Sequence, residues 1–261
     1  MRGLRMADVV VDIGNSRMKW GRVDGGGVAA SVSLSLDDPA AWEEQRTAWR
    51  LDGPAHWTVA GVRPQAVQAL VAWLRSRGDT VRLLERAAEL PLAVALPEPD
   101  KVGIDRLLAA VGANARRGRN PNPSEQGAVL VGVGTAITVD LLDGAGAFRG
   151  GAILPGPRLM ALALHEHTAL LPLVETIPPW PTAPAPATRP AIELGIHWAM
   201  VGGINGLIQT LGAQVTPQPE AMDVLVTGGG AALVMHRLIG RVQHCPDLVL
   251  EGIWHTARSS P

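Results

Sequence analysis

Two stretches, far apart in the chain, join an apolar run to residue types that bind phosphate. The first is Val9-Val10-Val11-Asp12-Ile13-Gly14-Asn15-Ser16, followed by Lys19; the second is Val129-Leu130-Val131-Gly132-Val133-Gly134-Thr135-Ala136. Each reads as a buried strand running into a backbone-exposed turn. Gly14 and Gly134, lacking a Cβ, would let backbone N–H groups approach an anion, and the hydroxyls of Ser16 and Thr135 can donate to its oxygens. Asp12 at the strand end can hold a hydrated Mg²⁺, and the Lys19 ammonium can neutralise phosphate oxygens. Two such loops on matching strands point to a duplicated domain closing over one polyphosphate. Either loop alone also fits an ordinary strand-to-turn junction.

A second chemical signal is Gly103-Ile104-Asp105-Arg106, at the head of a helix predicted over Ile104 to Arg116. Gly103 permits close approach, Asp105 falls in the first helical turn, and Arg106 offers a planar donor fork suited to a carboxylate. The helix N-terminus is expected to keep Asp105 ionised. The same residues also fit a plainer role, an acid stabilising the helix dipole beside a solvated arginine.

The elements that must position these groups follow from periodicity and breakers. A hairpin is predicted from Val9 to Trp20, a strand near Trp57 to Ala60, a helix over Ala66 to Arg77 and a short strand at Val81 to Leu84. Pro91, Pro97 and Pro99 then hold the chain extended up to the long helix. The polar, basic, breaker-rich segment from Arg116 to Gly127 marks a boundary, giving domains over residues 1–117 and 126–261. In the second, a strand runs through Ile137 to Leu142, turns at Gly144-Ala145-Gly146 and resumes toward Gly150. A helix is predicted over Ala191 to Leu211, a third strand-to-glycine turn at Val224 to Gly230, and a helix over Ala231 to Ile239.

Composition excludes several classes. With 23 Lys plus Arg against 24 Asp plus Glu, the net charge of −1 gives no global attraction for nucleic acid or an anionic membrane. One cysteine, Cys245, rules out an intramolecular disulfide and is read as a small apolar residue. Eight tryptophans and no tyrosine exclude tyrosine-dependent chemistry. The basic start is too short for a signal peptide, and no later run reads as apolar enough to cross a bilayer, so a soluble, cytoplasmic protein is expected. The segment ahead of His165 and His167 is helical in pattern, which puts the pair on different faces. These two, with His197, His236, His244 and His255, are read as surface or capping residues.

The blocks together resemble type III pantothenate kinases, members of the actin, sugar-kinase and heat-shock-chaperone superfamily. Asp12-Ile13-Gly14-Asn15-Ser16-Arg17-Met18-Lys19 matches the family signature D-x-G-N-[ST]-x-x-K. Further matches follow in order: Gly61-Val62-Arg63-Pro64, Pro99 through Arg106, Gly134 through Asp140, Gly150 through Gly156, Thr168 through Pro172, Thr188 with Ala191-Ile192 and Gly195, and Thr227-Gly228-Gly229. The resemblance implies an α/β fold of two duplicated ribonuclease-H-like domains, with ATP in the cleft between them. It implies transfer of the γ-phosphoryl group to pantothenate, the first step toward coenzyme A, by a homodimer without nucleic-acid or membrane partners.

By the same resemblance, Asp105 is the general base, and Asp12, Gly14, Asn15, Ser16 and Lys19 orient the Mg²⁺-bound phosphates. Gly134 and Thr135 hold ATP in the other domain. Leu96, Gly103, Ile104, Arg106 and Thr188 line the pantothenate site, with Thr188 near the partner subunit. Three positions depart from the family pattern. Gly132 replaces an acid that binds a monovalent cation, which speaks against a K⁺ requirement. Leu96 replaces a tyrosine of the substrate pocket, and Gly230 replaces an Asp. Two other readings stand beside the kinase: an impaired relative acting as a regulatory or accessory binding protein, and a kinase for another small hydroxylated acid.

Overall fold

A computed structural model describes residues 8–118 and 127–259, which fall into two compact units. The first opens with β1 (Val9–Ile13), whose three consecutive valines are fully buried, as a β-branched run covered on both faces should be. It continues through β2 (Met18–Asp24), β3 (Gly27–Leu34), α1 (Pro39–Ala48), β4 (His56–Gly61), α2 (Pro64–Ser76), β5 (Thr80–Leu84) and α3 (Ile104–Arg117). The sheet order is β3-β2-β1-β4-β5, with β1 antiparallel to β2 and parallel to β4. Helix α1 begins at Asp38, whose side chain accepts the Ala41 N–H at 3.1 Å, with Pro39 in the first turn. Tryptophan takes the place of the missing tyrosine and phenylalanine here. Trp20 meets Trp57 edge-on at 4.9 Å between ring centroids, and Trp42 meets Trp73 at 5.4 Å.

The second unit holds β6 (Ala128–Val133), β7 (Ala136–Leu142), β8 (Phe148–Pro155), α4 (Pro157–Glu166), α5 (Thr188–Gly212), β9 (Asp223–Thr227), α6 (Ala231–Val234) and β10 (Arg241–His244). Its sheet order is β10-β9-β6-β7-β8, with β6 antiparallel to β7 and parallel to β9. Read from the other edge, this is the first sheet again, so the duplicated α/β architecture expected from the sequence is present. The helix expected over Ala231 to Ile239 stops at Val234, followed by a single tight turn over Met235–Arg237. Asn205 of α5 accounts for the break: its amide donates to the Arg237 carbonyl at 2.9 Å and accepts the Ile239 N–H at 3.0 Å. At 25 residues α5 is long and apolar enough to cross a membrane, contrary to the sequence expectation. One face of it, with Ile192, Ile196, Met200, Ile204 and Ile208, is buried in this unit's core.

The chain then returns to the first unit in α7 (Leu248–Arg258). This corrects the domain expected over residues 126–261, since residues from Asp247 onward pack with α3 and the first sheet. The cause is steric and apolar. Gly112 of α3 and Gly252 of α7 sit where any Cβ would strike the other helix's backbone, and Leu248, Leu250, Ile253 and Trp254 are buried. An Arg116–Glu251 ion pair, 2.6 Å from Nε to Oε2, seals the edge of this contact. Residues 119–126 of the expected linker lie outside the described residues.

Candidate active site

In the first unit the site is built at the carboxyl ends of the parallel strands β1 and β4, where open α/β sheets place their ligand loops. The turn after β1 is closed by the Gly14 N–H donating to the Arg17 carbonyl at 3.0 Å. The Val62 N–H donates to the Ile13 carbonyl at 3.0 Å, and the Arg63 guanidinium to the Asn15 carbonyl at 3.1 Å, so the loop after β4 braces the turn. Gly14 therefore spends its N–H on the turn itself. Asn15, Ser16 and Arg17 remain exposed, and Ser16 and Arg63 border a hollow of about 550 Å³.

Asp12 and Lys19 face each other across the β1–β2 ladder, one pair back from the turn. Oδ1 of Asp12 is enclosed and without a hydrogen-bond partner among the described residues. Burial first, and then the nearby Asp105 carboxyl, push the Asp12 carboxyl up to about 7 against the opposing pull of Lys19. Lys19 Nζ lies 2.8 Å from Oδ1 of Asp247, the residue just before α7.

Asp105 sits in the first turn of α3, with Gly103 at the N-cap. Its Oδ1 accepts the Arg106 N–H at 2.9 Å. A Cβ on residue 103 would stand 2.7 Å from that same oxygen, so Gly103 makes room for the carboxylate. Burial raises the Asp105 pKa, while the Arg106 N–H and guanidinium pull it down. Desolvation outweighs these pulls, and the carboxylate is a stronger base than usual. Ile104 is buried, and Leu96 is half-buried in the bend ahead of Pro97.

In the second unit, the turn after β6 has the same form. The Gly134 N–H donates to the Ala136 carbonyl at 3.0 Å, again closing the turn, while Gly134 and Thr135 are exposed. The turn after the parallel strand β9 packs beside it through the Gly230 N–H, 3.0 Å from the Val133 carbonyl. Gly228 there has φ +92°, and a side chain on it would strike the Val133 backbone. Gly132 stands opposite Thr138, whose Oγ1 would lie 2.8 Å from any Cβ at 132. Thr188 is exposed at the first residue of α5.

The first unit therefore assembles Asp12, Lys19, Asp105 and Arg106, and the second assembles Gly134 and Thr135 with the Thr227–Gly230 turn. Sequence reading missed Asp247 and the bracing role of Arg63. Among the described residues no cluster of three or more His, Cys, Asp or Glu side chains could hold a metal by itself. His165 bonds the Leu171 carbonyl at 2.9 Å, in keeping with a capping role. His197, expected at the surface, is fully buried, and burial with the nearby Arg237 lowers its pKa.

Residues 9–210 match the sequence profile described as type III pantothenate kinase. The chain belongs to the type III pantothenate kinase family. A type III pantothenate kinase from Halorhodospira halophila is 35% identical over 262 residues, covering 96% of this chain and 97% of its own. Another, from Thiobacillus denitrificans, is 34% identical, with 96% of each chain covered. The fold is shared more widely. The activator of the 2-hydroxyisocaproyl-CoA dehydratase from Clostridium difficile, solved with bound ADPNP, superposes with a TM-score of 0.54 at 14% identity, over 97% of this chain and 94% of that one. In this member of the pantothenate kinase family, the signature acid and lysine of the first loop and the Asp105–Arg106 pair lie in one unit.

Proposed function

We propose that this chain transfers the γ-phosphoryl group of ATP to the terminal hydroxyl of pantothenate, giving 4′-phosphopantothenate in the first step of coenzyme A biosynthesis. The observation that carries the reading is a pair of carboxyls in one unit: Asp12 with an enclosed, unpartnered oxygen across the ladder from Lys19, and Asp105 in the first turn of α3 beside Arg106. Asp105 takes the proton of the attacking hydroxyl as its oxygen bonds to the γ-phosphorus and the bond to the ADP oxygen breaks. Its placement by Gly103 and the Arg106 N–H holds the accepting atom still. Asp12, whose enclosed oxygen suits a cation's hydration shell, would hold Mg²⁺, which when bound neutralises charge on the phosphates. Lys19, Asn15 and Ser16 bind phosphate oxygens, and Thr135, on the exposed turn after β6, is assigned to ATP by its match to the family pattern.

On the acceptor side, Arg106 pairs with the pantothenate carboxylate, and Leu96, Gly103, Ile104 and Thr188 are assigned to the substrate by their places in the family pattern. No acid stands at position 132, so we expect turnover without K⁺. A homodimer is supported by α5, where Gly195, Ala199, Gly202 and Gly206 form an exposed small-residue stripe beside Trp198, itself 47% exposed. We place the enzyme in the cytoplasm, acting on free solutes. A second reading, a kinase for another small hydroxylated acid, has Leu96 in its favour, since an apolar residue there cannot repeat a tyrosine's hydrogen bond.

The test is ADP release with ATP, Mg²⁺ and pantothenate, with and without K⁺, in wild type and Asp105→Asn. Pantothenate-dependent turnover lost in the variant supports the kinase. Turnover only with a different hydroxy acid moves the assignment to the second reading.

A further inference from the structure

Asp247 is the residue at which the chain re-enters the first unit, directly before α7. An aspartate in that place ordinarily turns its carboxylate onto the first N–H groups of its own helix. Here the side chain makes no capping hydrogen bond; Oδ1 lies 2.8 Å from Lys19 Nζ on β2 instead. The contact is an ion pair rather than an aligned hydrogen bond, with both side chains about a quarter exposed, 28% and 27%. A helix cap generally contributes at least as much stability as a partly exposed ion pair, so stability of the fold does not account for the choice.

Lys19 does account for it. Its Cα stands opposite Asp12 in the antiparallel ladder, so the two side chains leave the same face of the sheet, one pair back from the Gly14–Arg17 turn. Lysine carries a compact charge on a flexible four-carbon stem, and untethered it would sample many rotamers, including ones turned toward Asp12. The ammonium has three donors, so it can keep Asp247 and still meet a phosphate oxygen. We propose that Asp247 is a positioning residue for phosphoryl transfer, fixing the Lys19 ammonium beside the first phosphate turn before ATP arrives. This rests on the assignment of Lys19 to the ATP phosphates made above. It makes α7, which the family signature blocks do not reach, part of the catalytic apparatus of the first unit.

The experiment is a double-mutant cycle over wild type, Asp247→Ala, Lys19→Ala and the double variant, with Asp247→Asn as an isosteric companion. It carries two readouts: steady-state kinetics for ATP and pantothenate, and calorimetric affinity for MgATP, which needs no acceptor. Asp247→Ala is expected to lower kcat/KM for ATP about tenfold while the KM for pantothenate moves less than about twofold. Asp247→Asn, keeping size and one oxygen, should fall between. In the Lys19→Ala background the Asp247 substitution should cost nothing further, because its effect runs through Lys19. A loss that persists undiminished in that background overturns the proposal, as does a lowered melting temperature with unchanged kinetics, which would make Asp247 a plain tether between β2 and α7. If Asp247→Ala does not fold, Asp247→Asn carries the same comparison. Failure of the kinase assignment is told apart by the calorimetry. MgATP binding weakened by Asp247→Ala only when Lys19 is present supports the proposal even without pantothenate turnover, whereas equal affinities, or no MgATP binding by wild type, overturn it.

Discussion

The turns after β1 and β6 occupy the same place in topologically matching sheets, each preceded by an antiparallel ladder and flanked by a parallel strand. The cross-strand pair one step before the first turn is Asp12 with Lys19; its counterpart before the second is Gly132 with Thr138. The backbone repeats and the charge does not. One copy encloses a carboxyl and sets an ammonium opposite it, while the other offers small uncharged side chains and an exposed Thr135. The duplicated fold is thus divided in charge, with the enclosed carboxyl and the ammonium gathered at this pair in the first unit and the same place in the second left neutral beside its glycine turns.

The largest test of that division is Asp105→Asn, expected to lower kcat by about 10²–10⁴ in the ADP-release assay while leaving MgATP affinity within a few-fold. A comparable loss of kcat from any substitution in the second turn would break the division. Next, Gly132→Asp should try to restore charge to the neutral copy. Its Cβ alone meets Thr138 Oγ1 at 2.8 Å, so the expected result is destabilisation of about 2 kcal/mol in thermal melts, with no K⁺ dependence gained.

A third test reads the enclosed carboxyl through pH. Because folding raises the Asp12 pKa from 3.8 to about 7, the protonated form suits the fold, and the stability it lends is complete below about pH 4 and lost as pH rises through about 7. Asp12→Asn should therefore stabilise the nucleotide-free protein in EDTA by about 2 kcal/mol at pH 8 and by little at pH 5, a difference that paired melting curves would resolve. Equal effects at both pH values would mean that Asp12 is ionised throughout. The smallest effect belongs to Thr135→Ala, where loss of one hydroxyl contact should weaken MgATP binding about fivefold in a calorimetric titration.

What the sequence disclosed was local. The valine run of β1, the glycine turns and the apolar spacing of α3 are short-range signals, and the duplication followed from two of them. Strand β3, Gly27–Leu34, is rich in Ala and Ser at a sheet edge, and α1 buries only Trp42 and Arg46, so neither carries a strong pattern. The placement of α7 depends on Gly112 and Gly252, 140 positions apart in the numbering, which no window can relate. The site divides the same way. The residue types of Asp12, Lys19, Asp105 and Arg106 were legible, but the sign of the Asp105 shift was not, because desolvation is set by neighbours and the helix terminus by position. Gly103 looked like a residue that admits substrate; the fold shows it admitting the Asp105 carboxylate.

The return of α7 also sets an order of events during synthesis. Residues 127–246 are continuous and hold every element of their own sheet, so the second unit can complete its core as soon as it clears the ribosome. The first unit cannot: β1 through β4 and the Gly112 face of α3 lack their cover until residues 248–258 emerge. The sheet made first is finished last, and the nascent chain must carry it as an open apolar layer while the whole second unit is translated.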